Sequence, residues 1–129
     1  MRALVVDDSR TMRRIVAATL QDLGFEIAEA ENGAAALALL ESGLTFDLAC
    51  VDWNMPQMDG LEFVSQVRTG NRWRAITLMM VTTESEQEQI VRALAAGAHE
   101  YLIKPFSPDA LRDKLQLLGL LPAVAGGVA

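Results

Sequence analysis

Five polar side chains stand directly after short apolar runs of the sequence, and their types together could bind a metal ion and a phosphate. They are Asp7, Asp8, Asp52, Thr82 and Lys104. The apolar runs have the length of buried strands and are too short for helices. Because ligands of open parallel sheets bind outside the carboxyl ends of the strands, we expect these side chains to meet at one edge of such a sheet.

The three carboxylates of this group would repel one another unless a cation lies among them. Neighbouring strands are about 5 Å apart, so carboxylates at the ends of adjacent strands can share one ion. Mg²⁺ suits such a site because it prefers oxygen ligands and is held by one or two carboxylates with water and phosphate oxygens. Lys104 would supply a positive charge for a phosphate oxygen, and Thr82 a hydroxyl donor. Any one of these could be an ordinary turn residue, but their joint placement favours a site.

The sequence between these residues alternates between strand and helix patterns. Apolar runs predict strands over residues 4–6, 47–51, 76–81 and 101–103, and the alternation of apolar and polar residues over 25–29 predicts a half-buried outer strand. Apolar side chains at helical spacing predict a helix after each strand, with Ser9 and Ser107 as N-caps and Asn32-Gly33 as a turn. Five strand–helix units predict one α/β domain, a doubly wound parallel sheet of five strands flanked by five helices. The order 2-1-3-4-5 places the three most apolar runs at the centre of this sheet.

Composition and charge limit the classes of function. The chain has 129 residues and a formal net charge of −6, which argues against DNA as a partner because nucleic-acid binding needs basic patches. No apolar run is long enough to span a bilayer, and acidic residues follow the start too soon for a signal peptide, so we expect a cytoplasmic protein. The single cysteine, Cys50, is expected to be buried, and the single histidine, His99, has no cluster to join as a metal ligand.

The motifs around the five polar residues resemble the receiver domain of two-component response regulators, from Leu4 to about Leu118. The resemblance rests on Asp7-Asp8, Asp52, Met55-Pro56, Asp59-Gly60, Thr82 and Lys104-Pro105-Phe106. The stretches 11–16 and 52–56, together with Tyr101, are most similar to the single-domain regulators of bacterial chemotaxis. We therefore expect a receiver domain over residues 1–119 and a flexible tail over 120–129.

The resemblance implies a role for each polar residue at the predicted sheet edge. Asp52 would accept a phosphoryl group from the phosphohistidine of a histidine kinase. Asp8, Asp52 and the main-chain carbonyl of Asn54 would hold Mg²⁺, with Asp7 reaching the ion directly or through water. Lys104, followed by a cis bond to Pro105, would pair with the phosphoryl group, or with Asp52 before transfer.

The resemblance also implies that the phosphorylated state is ended by autodephosphorylation. The domain would catalyse its own phosphorylation, from the kinase or from small phosphodonors, and its own dephosphorylation, without acting as an enzyme on other substrates. Asn54 and Glu84 would tune the rate of hydrolysis through their polar side chains. Thr82 would move towards the phosphoryl group and so allow Tyr101 to change position. Phosphorylation at Asp52 would thereby alter a surface some distance away.

The output surface implied by the resemblance comprises the fourth helix, the fifth strand and the fifth helix, including Tyr101, Ile90 and Lys114. In the chemotaxis regulators this surface binds a peptide of the flagellar motor switch, and the kinase is CheA-like. We expect a monomer whose target is the motor switch protein or another protein. On the first helix, Arg13 and Arg14 are expected to form a solvated basic patch, with docking of a kinase or phosphatase as the alternative.

Four other interpretations of the sequence are open. A Mg²⁺-dependent phosphatase with an aspartate nucleophile would carry a second aspartate where Asn54 stands, and a cap insertion that this sequence lacks. A receiver cut from a DNA-binding protein would carry a linker after Leu118. A scaffold without phosphorylation is disfavoured because all five polar residues are present. A phosphate sink, which drains a kinase without a motor target, would use the same residues.

Overall fold

The computed structural model describes residues 1–69, 72–83 and 87–122, in which strands and helices alternate along the chain. The strands are β1 (Arg2–Val6), β2 (Glu26–Ala30), β3 (Leu48–Asp52), β4 (Thr77–Thr83) and β5 (Glu100–Lys104). The helices are α1 (Arg10–Asp22), α2 (Gly33–Glu41), α3 (Gly60–Arg68), α4 (Gln87–Ala96) and α5 (Pro108–Leu117). Each of the strands and helices predicted from the sequence is therefore present.

All five strands are parallel and lie in the order β2-β1-β3-β4-β5. The fold class and the strand order predicted from the sequence are confirmed. Crossover helices cover both faces of a parallel sheet, and β3 is accordingly buried along its whole length. Its Cys50 is 2% exposed, and burial raises the pKa of the thiol to about 12. This side chain therefore acts as a buried apolar group, as expected.

Two apolar layers hold the helices against the sheet. On one face, α2, α3 and α4 supply buried side chains that include Leu40, Phe63 and Ala93. On the other face, α1 and α5 supply buried side chains that include Leu20 and Leu111. Full burial of one Leu or Phe side chain stabilises the fold by about 1.5–3 kcal/mol. The ends of the strands are thus anchored from both sides, which fixes the positions of the polar residues they carry.

Side-chain caps set the starts of the helices. Ser9 and Ser107 accept main-chain N–H groups at the starts of α1 and α5, as predicted. The prediction of a turn at Asn32-Gly33 is wrong, because Gly33 is the first residue of α2. Asn32 caps that helix by accepting the N–H of Ala35 at 2.7 Å. Asparagine suits a turn and an N-cap equally in sequence, and here the cap bond satisfies an N–H that has no acceptor within the helix.

The three strands that carry Asp52, Thr82 and Lys104 extend one or two residues further than predicted. β3 includes Asp52, β4 runs through Thr82 to Thr83, and β5 includes Lys104. The prediction ended each strand at its last apolar residue, whereas main-chain pairing continues beyond it. Asp52 pairs with Val81, and Thr83 pairs with Lys104. The polar residues are therefore held by the sheet itself and not by the loops that follow it.

At the opposite edge of the sheet, Arg68 ties the end of α3 to neighbouring main-chain segments. It donates to the carbonyl oxygens of Gly97 at 3.0 Å, Trp73 at 3.1 Å and Ile76 at 2.6 Å. Its Nη2 atom also lies 3.2 Å from Nδ1 of His99. One guanidinium group, with five N–H donors in a planar fork, thus joins the end of α4, the connection from α3 to β4 and the turn before β5.

The last described residues pack on the face that carries α1 and α5. Leu120 and Leu121 contact that layer, and the N–H of Leu120 donates to the carbonyl oxygen of Leu115 at 2.9 Å. Most of the predicted tail, residues 123–129, lies outside the described residues, so the boundary at residue 119 stays a prediction. Within the described ranges, the structure contains no helix with the length and apolar character needed to cross a membrane.

Candidate functional site

The strand register brings the predicted polar residues together at the carboxyl edge of the sheet. Val6 pairs with Val51, so Asp7 and Asp52 lie side by side where β1 and β3 end. Lys104 ends β5, on the far side of β4, and its side chain reaches back towards β3. The edge therefore combines negative charge from two adjacent strands with positive charge from a third.

The acidic cluster consists of Asp7, Asp8 and Asp52. Each contributes a carboxylate oxygen, and these three oxygens all lie within 4.8 Å of one another. Asp7 is 3% and Asp52 7% exposed, whereas Asp8 is open to solvent. Three carboxylates offer only hard oxygen ligands, which fits Mg²⁺ and not a metal that prefers sulfur or imidazole.

Lys104 faces this cluster from β5. Its Nζ atom lies 2.9 Å from Oδ1 of Asp52 and 3.4 Å from Oδ2 of Asp7. Burial lowers the pKa of Lys104, but the hydrogen bond and charge of Asp52, with those of Asp7, outweigh that effect and leave the pKa raised. The ammonium group therefore stays charged at neutral pH. The following bond, Lys104–Pro105, is cis, in agreement with the expectation from the family resemblance.

The ionised form of Asp52 is disfavoured in the folded protein, despite its contact with Lys104. Burial raises the pKa of Asp52, and the charges of Asp7 and Asp8 raise it further. The hydrogen bond and charge of Lys104 lower it, but the net shift is upwards. An additional cation among these carboxylates would reduce their repulsion and favour the ionised form of Asp52.

Asp7 is fixed by bonds to both its side chain and its main chain. Its Oδ1 atom accepts the N–H of Ser9 at 2.9 Å, and its own N–H donates to the carbonyl oxygen of Ala30 at 3.1 Å. Its carbonyl oxygen accepts Nη1 of Arg13 at 2.9 Å. The start of the loop after β1 is thereby held at three atoms of Asp7, which restricts the directions of the two aspartate side chains.

The expectation that Arg13 belongs to a solvated basic patch is wrong. The side chain of Arg13 is 15% exposed, and its Nε atom donates to Oε1 of Glu29 at 3.0 Å. Arg14, at 61% exposure, is the solvated member of the pair. Sequence spacing gave no signal for this difference, because Glu29 meets Arg13 only through the pairing of β1 with β2.

The loop after β3 folds back onto the end of that strand. Asn54 is exposed in this loop, two residues after Asp52, while Trp53 is 4% exposed beside the core. The N–H of Gly60 donates to the carbonyl oxygen of Trp53 at 2.9 Å, which closes the loop. Glu84, the other residue expected to tune hydrolysis, lies outside the described residues, so its expected role stays a prediction.

Thr82 and Tyr101 lie on the same face of the sheet. Tyr101 pairs with Met80, and Thr82 pairs with Ile103, so these two residues are two positions apart along neighbouring strands. Thr82 is 2% exposed, whereas Tyr101 is half-buried. This arrangement gives a buried hydroxyl near the acidic edge and an aromatic ring further from it on the same face.

Tyr101 also borders a surface groove of about 320 Å³. The groove is lined by apolar side chains and the aromatic ring, namely Ile90, Val91, Leu94, Tyr101 and Ile103. Beyond the ring, Nζ of Lys114 lies 4.5 Å from the Tyr101 ring centroid and 3.0 Å from Oε1 of Glu100. The three residues expected on the output surface, Ile90, Tyr101 and Lys114, are thus neighbours on one side of the molecule.

Comparisons with known proteins agree with this architecture. The response regulator receiver domain family matches residues 3–116. The chain is 44% identical over 119 residues to the chemotaxis protein CheY1 of Helicobacter pylori, covering 92% of this chain and 96% of that relative. The structure of the chemotaxis response regulator CheY4 of Vibrio cholerae is similar at a TM-score of 0.83 and 40% identity, covering 91% of this chain and 97% of that one. The response regulator TrrA of Thermotoga maritima, solved in complex with Mg²⁺-BeF, is similar at a TM-score of 0.78 and 35% identity, with the same coverage of 91% and 97%. With a family match over most of its length, this chain belongs to the response regulator receiver domain family.

Proposed function

We propose that the chain is a stand-alone response regulator that accepts a phosphoryl group on Asp52 from a histidine kinase, with Mg²⁺ bound at the acidic cluster. The observation that carries the proposal is the position of Asp52. It lies in a group of three carboxylates within 4.8 Å of one another, and 2.9 Å from the ammonium group of Lys104. Phosphoryl transfer depends mostly on positioning and charge neutralisation, and this group of residues supplies both.

In the proposed reaction a carboxylate oxygen of Asp52 forms a bond to phosphorus as the P–N bond of the kinase's phosphohistidine breaks. The imidazole leaves with the electron pair of that bond. Asp7, Asp8 and Asp52, with the main-chain carbonyl of Asn54, would hold Mg²⁺, which supplies neutralising charge for the phosphoryl oxygens. Lys104 exchanges its contact with Asp52 for a phosphoryl oxygen.

Hydrolysis of the acyl phosphate returns Asp52 to its starting form. The exposed position of Asn54 in the loop after β3 supports a role in orienting the attacking water. Glu84 is proposed for the same role from its place in the sequence alone. These two steps concern only the protein's own phosphoryl group, so the chain acts as a signalling acceptor and not as an enzyme on other substrates.

The proposed output is a change at the surface that contains Ile90, Tyr101 and Lys114. The hydroxyl of Thr82 would donate to a phosphoryl oxygen, and the resulting shift would let Tyr101 take a new position on the same face. A target protein would then bind along the apolar groove. Since relatives of this chain are named as chemotaxis proteins, a flagellar motor switch protein is the proposed target, and a CheA-like kinase the proposed donor. The protein is proposed to act as a cytoplasmic monomer without DNA binding.

The metal and phosphoryl site is tested by fluorescence of Trp53. The sequence contains two tryptophans. Trp73 lies between α3 and β4, where its carbonyl oxygen accepts a hydrogen bond from Arg68 at the end of α3. A Trp73→Phe variant therefore makes Trp53 the only tryptophan reporter. Beryllofluoride, a phosphoryl mimic, is titrated with and without Mg²⁺. We expect a saturable change that requires Mg²⁺ and is lost in Asp52→Ala. A folded protein that gives no response with Mg²⁺ and beryllofluoride would overturn the proposal.

The target is tested separately, once the site responds. The protein is loaded with Mg²⁺ and beryllofluoride and mixed with peptides from flagellar motor switch proteins. We expect binding that increases on loading and is reduced in Tyr101→Ala. A site that responds fully but does not bind any such peptide would contradict the motor target and favour the phosphate sink.

A further inference from the structure

Arg13 occupies a position under the acidic pair that no other basic residue of α1 shares. Its Nη1 atom donates to the carbonyl oxygen of Asp7 at 2.9 Å, while its Nε atom donates to Oε1 of Glu29 at 3.0 Å. With 15% of its side chain exposed, the guanidinium group is largely removed from water. A planar fork with two occupied donor directions holds its partners in a fixed geometry.

The carbonyl group of Asp7 belongs to the peptide unit that joins Asp7 to Asp8. Because that unit is planar, a hydrogen bond to its oxygen fixes the orientation of the whole plane. The orientation of this plane in turn sets the direction of the main chain at Asp8, from which its side chain projects. Within the described residues the carboxylate of Asp8 makes no hydrogen bond, so its direction depends on the main chain on either side.

We infer that Arg13 is a positioning residue that orients the Asp7–Asp8 peptide plane and thereby holds the carboxylate of Asp8 in place for a cation. The inference rests on the proposed function, since it takes Mg²⁺ as the cation bound at the acidic cluster. Glu29 completes the arrangement. Its carboxylate neutralises Arg13, so that a positive charge can lie close to the metal site without repelling the ion.

Arg14 provides a matched control on the same turn of α1. Its Nε atom lies 3.8 Å from Oε1 of the same Glu29, but its side chain is 61% exposed. Removing either arginine deletes one positive charge close to Glu29. Only Arg13 bonds to the peptide unit between Asp7 and Asp8, so only its removal should disturb the direction of Asp8.

An electrostatic role and a positioning role of Arg13 predict opposite effects of its removal on the affinity for Mg²⁺. Deleting a positive charge near three carboxylates strengthens the attraction for Mg²⁺, so a purely electrostatic role predicts tighter binding in Arg13→Ala. A positioning role predicts weaker binding, on the order of tenfold, as is typical for groups that orient metal ligands. Arg13→Lys keeps the charge but has a single ammonium group in place of the fork, so it should also weaken binding.

The test is the Mg²⁺ dissociation constant from Trp53 fluorescence, measured in the Trp73→Phe background for Arg13→Ala, Arg13→Lys and Arg14→Ala. We expect the dissociation constant to rise about tenfold for Arg13→Ala, to rise also for Arg13→Lys, and to stay within about twofold of the parent for Arg14→Ala. Amide NMR spectra without metal provide a second readout, in which Asp8 and Ser9 shift in both Arg13 variants and not in Arg14→Ala.

The outcomes separate the inference from the proposed function. If the parent protein does not bind Mg²⁺, the proposed function fails. If the parent binds and the folded Arg13→Lys variant binds equally well with unshifted Asp8 and Ser9 amides, the inference is overturned while the proposed function stands. Tighter binding in Arg13→Ala would likewise overturn it in favour of a charge effect. Should Arg13→Ala lower the stability too far for measurement, Arg13→Lys, which keeps the charge and the aliphatic stem, decides the question.

Discussion

A Cβ atom on Gly60 would lie 2.7 Å from the main-chain oxygen of Asp52. It would also lie 3.0 Å from the Cα atom of Trp53, so the start of α3 presses directly against the end of β3. Both neighbours are backbone atoms that cannot move aside without shifting the strand. The absence of a side chain at Gly60 therefore allows α3 to begin in contact with the main chain of Asp52.

Gly60→Ala should lower the free energy of unfolding by about 1–3 kcal/mol, because the added methyl group overpacks against the main chain of β3. Gly33→Ala is the matched control, since Gly33 is also the first residue of a helix and its added Cβ would meet the flexible side chain of Met58. We expect a smaller loss there. Urea unfolding of both variants measures the difference, and equal losses would show that backbone contact at Asp52 is not the cause.

Asp52→Asn should stabilise the metal-free protein at neutral pH. The pKa of Asp52 is raised in the folded state, mainly by burial, so the folded protein holds this proton more tightly than the unfolded chain does. Above that pKa the ionised carboxylate disfavours folding, and the amide removes the penalty. The advantage of the variant should shrink as the pH falls towards the usual pKa of Asp, about 3.9.

Urea unfolding at pH 7.5 and pH 4.5, without divalent ions, measures this difference. Asp109→Asn on the surface of α5 is the control for loss of a carboxylate, since Asp109 belongs to an exposed ion pair with Arg112. A lower stability of Asp52→Asn at pH 7.5 would contradict the prediction. It would mean that the contact with Lys104 outweighs burial and the repulsion of Asp7 and Asp8.

Protonation of His99 should destabilise the fold. Its Nδ1 atom accepts the N–H of Leu78 at 3.1 Å and lies 3.2 Å from Nη2 of Arg68, so this nitrogen must be unprotonated. Burial and the charge of Arg68 both lower the pKa of His99. A lowered pKa in the folded state means that this stabilisation is complete above the unfolded value, about 6.5, and is lost as the pH falls.

His99→Asn provides the comparison, because its amide oxygen accepts a hydrogen bond and does not titrate in this range. We expect the wild-type protein to lose more stability than His99→Asn between pH 7.5 and pH 5, measured by urea unfolding at each pH. The carboxylates titrate in both proteins and cancel in the difference. Parallel curves for the two proteins would show that the ring nitrogen does not need to be unprotonated.

Glu100 should hold Lys114 over the ring of Tyr101. The Nζ atom of Lys114 lies close to both the Glu100 carboxylate and the Tyr101 ring, and both charged side chains are partly buried. Glu100→Gln removes the charge that anchors the ammonium group. Since Tyr101 is the only tyrosine in the sequence, its ring signals can be followed by NMR after labelling of tyrosine alone.

We expect the ring signals of Glu100→Gln to move towards those of Lys114→Met, in which the cation is absent. Asp109→Asn breaks the exposed Asp109–Arg112 pair on the same helix as Lys114 and should leave the ring signals in place. Wild-type ring signals in Glu100→Gln would show that the ring retains Lys114 without help from the carboxylate.

The fold was predictable because each buried strand is a continuous apolar run that ends in a polar residue. For the same reason the positions of Asp52 and Lys104 at one edge of the sheet followed from the strand order. The exact ends of the strands did not follow, since main-chain pairing continues through Asp52 and Thr83 whatever their side chains are. Asn32 was placed in a turn because its sequence neighbourhood suits a turn as well as a cap.

Contacts between distant segments were beyond the reach of the sequence. The bond from Arg13 to Asp7 depends on the packing of α1 against β1, and the partner of Arg13, Glu29, is 16 residues away on β2. The hydrogen bonds of Arg68 likewise join residues up to 31 positions apart in the sequence. Apolar periodicity determines which face of a helix is buried, but it carries no information on which polar side chain a buried arginine will meet.

Lys104 reaches partners that lie 97 and 52 residues earlier in the chain, in Asp7 and Asp52. A growing polypeptide therefore contains all three aspartates long before the lysine that faces them is made. Contacts of such long sequence separation form only after the intervening loops have closed. A chain that ends before β5 lacks the ammonium group that contacts Asp7 and Asp52, so these carboxylates do not have the ion pair that they make in the finished domain. The acidic edge of the sheet and the ammonium group that faces it are thus present together only once the last strand has been made.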